Sequence, residues 1–149
     1  MNSFKDKLIM FIVMIIVGML FNPMNILAYK LNHLYLSTTL FYGGIMMASN
    51  MVWSHEIVHY LQMGHFNLST FAIGVGLSVF TAIALLRSQQ FVTVKQWLRR
   101  MIPHHSTAIT TTKKILKTDD VKKNSKLYRL MKDIIYNQER EILVMKSYL

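Results

Sequence analysis

Cysteine is absent from the 149 residues. That excludes a disulfide framework, a thiolate zinc site, an iron–sulfur cluster and a cysteine nucleophile. Two prolines and six glycines are too few for a turn-rich all-β protein or for low-complexity disorder. Acidic residues are scarce, seven against seventeen lysines and arginines, and the formal charge is +10. Neither a glycine-rich nucleotide loop nor a nucleophile–base pair is visible, so the composition does not require catalysis. No internal repeat and no Gly/Ser/Pro linker divides the chain.

The remaining residues are sorted along the chain. Hydrophobic residues make up 52% and the mean hydropathy is +0.29, unusual beside so much positive charge. Residues 34–86 contain no Lys or Arg and a single acid, Glu56, whereas residues 87–149 hold fourteen Lys/Arg against five acids, a net +9. The sequence therefore divides into a membrane region, 1–87, and a basic helical domain, 88–149. Three stretches, about 8–28, 34–53 and 68–86, are long and uncharged enough to read as transmembrane helices, for which about twenty apolar residues suffice. The first has no small-x-small cleavage site after it and reads as a retained anchor. Gly44 and Ala48, and then Gly74, Ser78 and Ala82, place small residues at the spacing that lets helices approach closely in lipid.

Beyond Phe91 the pattern turns amphipathic. Leu98, Met101, His105, Ala108, Thr112 and Ile115 return at helical spacing, with Pro103 either starting or kinking that helix. Thr118, Asp119 and Asp120 supply caps for a second helix carrying Val121, Tyr128, Met131, Ile135, Gln138, Ile142, Met145 and Leu149. The expected fold class is all-α: three transmembrane helices followed by an antiparallel helical hairpin. A lone hairpin buries little surface, so a homo-oligomer or a docking partner is expected.

On the first helix of that hairpin Met101, His104 and His105 stand at i, i+3 and i+4 and can converge. Met145 can come level with Met101 across the hairpin, and Glu141 could orient a histidine from behind. A thioether–imidazole set suits Cu(I) and is usable for Cu(II) or zinc. The same spacing also fits two core methionines beside solvent-facing histidines, the commoner outcome for methionine.

The stretch from about Phe91 to Leu149, with M-I-P-H-H-S-T-A-I at 101–109 and Q-E-R-E-I-L-V-M at 138–145, resembles the domain of unknown function 305 family. The resemblance implies a half of a ferritin-like bundle, copper binding in some members, and Met101, His104, His105 and Met145 as ligands. Thr110, Thr111 and Thr112 stand where that family usually has a second methionine. Val94 and Lys95 replace its usual opening acid. Both departures imply fewer soft ligands.

A second constellation, His55-Glu56-Ile57-Val58-His59, has the H-E-x-x-H form, with His65 at the spacing of a third ligand. On a helix Met51, His55, His59 and Met63 recur every four residues, which offers successive soft sites as a metal relay would. The leading expectation is a multi-pass membrane protein with a metal-binding domain, copper before zinc, serving sequestration, tolerance or handover. One alternative is a zinc-dependent membrane hydrolase with Glu56 as catalytic base. Another is a non-catalytic protein whose basic tail meets the lipid bilayer, with no nucleic acid expected. Three spans would put the His55 and His104 clusters on opposite faces. The distribution of lysines favours a tail inside, whereas Met/His copper chemistry favours one outside, so the side of the C-terminal domain stays open.

Overall fold

With so few prolines and glycines the chain has little to interrupt helix, and helix is what forms. The computed structural model describes residues 4–149. It contains α1 (Phe4–Leu20), a single turn α2 (Pro23–Ile26), a 3-10 turn at Leu31–His33, α3 (Thr38–Met63), α4 (Leu68–Phe80) running on as a π-helical segment Thr81–Arg87, α5 (Val94–Ile115), α6 (Asp119–Lys123) and α7 (Ser125–Ser147). No strand occurs among the described residues. Two compact units are present: one from the described residues up to Phe21 with Thr38–Val92, the other from Asn22–Ser37 with Thr93–Leu149. The charge pattern divides the chain at 87/88. It does not disclose that residues 22–37 fold with the basic part.

In the first unit α3 packs against both α1 and α4. Small residues set those crossings. A Cβ on Gly44 would lie 2.8 Å from the Ile15 carbonyl oxygen, and one on Gly74 would lie 2.9 Å from the Trp53 backbone nitrogen. Polar groups close the α3–α4 seam. Asn50 Oδ1 accepts from Ser78 Oγ at 2.9 Å and from Trp53 Nε1 at 3.1 Å.

Two helices, spanning Lys5–Ile26 and Leu68–Arg87, are long and apolar enough to cross a membrane. The expected third span, 34–53, does not meet that standard, so two membrane-length apolar helices stand among the described residues in place of three. Lack of charge is not apolarity: Thr38, Thr39, Tyr42, Ser49, Asn50 and two glycines contribute nothing to transfer into hydrocarbon. The helix also runs further than expected. It passes through His55, Glu56 and His59, because no breaker appears until Gly64, whose φ of +70° is the left-handed conformation that ends helices. The histidines lie on α3 itself, not on an inter-span loop.

In the second unit α5 packs along α7. Leu98, Ile102, Ile109, Ile142 and Met145 form the core, with Tyr35, Met101 and Leu149 against it. Thr93 caps α5 by accepting from Gln96 N. The helix therefore begins nine residues before Pro103, which sits buried in its interior. Residues 22–37 return to α5: Ser106 Oγ accepts from Tyr29 N at 2.7 Å and lies 2.9 Å from His33 Nδ1, while Thr107 Oγ1 donates to the Met24 carbonyl.

The single second helix expected from Thr118 is in fact two. Asn124 ends α6 and starts α7, its side chain accepting from Leu127 N at 3.1 Å. The short polar side chain competes with the helix ladder and wins at that point. Asn124→Ala should cost about 1 kcal/mol, visible as a lower denaturation midpoint. An unchanged midpoint would show that the cap contributes nothing.

Candidate functional site

α5 and α7 bring part of the sequence-predicted metal set together. Met101 is half-buried against the cluster that contains Met145, and Met145 is 8% exposed. His105, one turn after Met101, places Nδ1 2.9 Å from Glu141 Oε2, and Glu141 stands one turn before Met145. That ring nitrogen is buried, and its approach to Glu141 is poorly aligned for a hydrogen bond. Gln138 Nε2 donates to the same carboxylate oxygen at 3.4 Å. Burial pushes the His105 pKa below its usual value; the charge of Glu141 opposes this and that of His104 adds to it. The ring is thus biased toward the neutral state a metal ligand needs. A proton on Nδ1, facing the carboxylate, leaves the Nε2 lone pair available. His104 is exposed, its ring centroid 5.9 Å from that of His105.

The second constellation lies in the first unit, around a pocket of about 600 Å³ lined by Lys7, His55, Glu56, His59, His65 and the start of α4. The His55 and His59 rings stack with centroids 6.2 Å apart, and His59 Nδ1 lies 3.0 Å from the His65 carbonyl oxygen. Met51 and Met63 are on the same helix but exposed, at 39% and 69%. Glu56 is turned to other work. Its Oε1 receives Lys7 Nζ at 3.4 Å and its Oε2 accepts from Asn67 N at 3.4 Å. Lys7 also donates to Thr70 Oγ1 at 3.4 Å. Asn67 caps α4 by accepting from Thr70 N. The carboxylate therefore ties α1 to the start of α4, where it also meets the positive end of that helix. Both carboxylate oxygens are engaged, one by Lys7 and one by the Asn67 N–H, whereas a general base needs an oxygen free to take a proton from water.

Among the described residues no three His, Asp or Glu side chains form a cluster that could hold a metal ion. Sequence reasoning missed Lys7 as the partner of Glu56, and Tyr29, His33 and Ser106 as a cluster beside α5. His33 is buried, and its pKa is pushed down by burial and by the charges of Lys146 and Lys30. None of these pairings is local, so no spacing rule signals them.

Comparison with known proteins bears on the C-terminal part and on the whole chain. The family model described as a domain of unknown function, DUF305, matches residues 79–149. The Acanthamoeba polyphaga mimivirus protein described as uncharacterized protein L153 is 31% identical over 143 residues, covering 95% of this chain and 90% of that relative. No solved structure matches.

Proposed function

From the premise that the chain belongs to the same family as the mimivirus protein and carries a DUF305 domain over residues 79–149, we propose that it is a membrane-anchored copper-binding protein. In this reading α5 and α7 form an antiparallel hairpin, half of a ferritin-like bundle, and Met101, His104, His105 and Met145 hold Cu(I) for sequestration or handover. The observation that carries it is the 2.9 Å approach of Glu141 to His105 Nδ1. It occurs one turn from Met101 on one helix and one turn from Met145 on the other. Thioether sulfur and neutral imidazole are the soft and borderline donors that favour Cu(I) over hard cations.

The membrane part of the proposal rests on what α1 and α4 leave uncovered. Only 6% of the apolar window in the first helix and 17% in the second is buried by protein. Leu8, Ile9, Ile12, Val13, Ile16 and Leu20 are each about half exposed. A face that apolar needs lipid or a partner.

The test uses the full chain in detergent, with Cu(I) drawn from a colorimetric chelator. M101L/M145L keeps side-chain volume and removes both sulfurs, so helicity should hold while affinity falls. E141Q should cost about 10–100-fold in affinity. Undiminished Cu(I) binding by M101L/M145L and by H104A/H105A overturns the proposal.

A further inference from the structure

Another concave site lies in the second unit, made of residues outside the Met101–Met145 set. The end of α5, α6 and the start of α7 surround a cavity of about 780 Å³ whose lining includes Tyr29, Tyr128, Lys113, Lys114, Lys117 and Lys122. Among the described residues no acidic side chain lines it. Lys113 pairs with Glu139 at 2.7 Å and Lys122 with Asp119 at 3.1 Å. Lys114 and Lys117 have no carboxylate partner among the described residues. The surroundings reinforce this charge, since residues 113–132 hold eight Lys/Arg and two Asp.

We propose that this cavity binds a phosphate group, presented either by an anionic lipid headgroup or as a free polyphosphate. Lysines at the end of a helix offset its dipole, which accounts for Lys113 and Lys114. It does not account for Lys122, which approaches from another helix, or for the aromatic walls. Lys113 Nζ sits 4.0 Å from the centroid of the Tyr29 ring, so one ammonium is held on an aromatic face while its neighbours stay free to turn inward. Four lysines and no arginine line the cavity. Lys114 and Lys117 offer two ammonium groups without a carboxylate beside the paired Lys113 and Lys122, and compact ammonium groups suit a tetrahedral phosphate, whereas a planar carboxylate is matched better by the arginine fork. Clustered lysines attract anionic lipid headgroups as well as free phosphates. The inference stands independently of copper.

The experiment measures binding of a short-chain fluorescent phosphatidylinositol phosphate to the full chain in neutral detergent without copper. K114Q/K117Q, both on exposed side chains, should weaken binding about tenfold or more. The charge-matched K95Q/R140Q should change it less than about twofold. Competition by inorganic pyrophosphate identifies a site open to free phosphate; lipid binding that pyrophosphate does not displace identifies a headgroup site. Binding of neither probe, or equal weakening in both double variants, overturns the proposal, the latter because it would reflect diffuse charge attraction alone.

Discussion

Gly44→Val is expected to unmake the first unit. A Cβ at that position meets the Ile15 carbonyl oxygen at 2.8 Å, Met19 Cγ at 3.1 Å and Ile15 Cγ2 at 3.3 Å. The nearest of these is backbone, which cannot rotate away as a side-chain end would. Gly18 faces the same crossing, its own Cβ position 3.2 Å from Gly44 Cα, so α1 has no slack on the other side. Relief requires α1 to withdraw, and withdrawal empties the whole α1–α3 seam. The cost should be about 3 kcal/mol or more, the upper end of overpacking effects. Gly43 supplies the control, because a Cβ there meets nothing within 4 Å. Gly43→Ala should hold or raise stability through helix propensity. Thermal unfolding of both variants in detergent checks this, and a G44V melting point equal to wild type would refute the crossing as drawn.

Lys7→Met should be the second large effect, and it should be asymmetric. The Glu56 side chain is 6% exposed and that of Lys7 is 36% exposed. Removing the lysine strands a carboxylate with the Asn67 N–H as its remaining partner. Breaking a fully buried pair costs about 3–5 kcal/mol; solvent reaching Lys7 lowers this to about 1–3 kcal/mol. Glu56→Gln should cost less, since the freed ammonium can turn to water and the amide can still accept from Asn67. K7M/E56Q should recover much of the K7M loss, a coupling that a double-mutant cycle reads directly. If K7M and E56Q destabilise equally and additively, the two side chains are not a pair.

These two sites also mark where sequence is informative. The spans at about 8–28 and 68–86 are legible as membrane-length helices because no charge interrupts them and large apolar residues outweigh the few polar ones, and the structure keeps two such helices. The stretch from Leu34 to Trp53 misleads because an uncharged residue is not an apolar one. Asn50 finds its partner only across the seam, at Ser78, and Ser49 returns its hydroxyl to the Ile45 carbonyl of its own helix. The helical character of α5 and α7 is written in a local repeat, and so is the adjacency of Met101 and His105. The break at Asn124 is not, since the same polar side chain suits a helix surface or a cap. Lys7 and Glu56 lie 49 positions apart and Tyr29 and Ser106 lie 77 apart. Charge and polarity pick out such residues as unusual without saying what they meet. The lysines of the cavity show the same limit: their number is visible in the sequence, but the concavity they line is not.

The return of residues 22–37 to α5 has a consequence for how the protein is made. The second unit consists of two chain pieces separated by the whole of 38–92. Translation at about 5–20 residues per second leaves the early piece waiting several seconds for Ser106 and Thr107 to emerge. During that interval Tyr29 and His33 have no place to dock. The α1–α3 crossing is complete long before, because Ile15 and Gly44 are synthesised close together. The first unit can therefore assemble while α5 is still being made, whereas the second closes only after α5 and α7 have been synthesised.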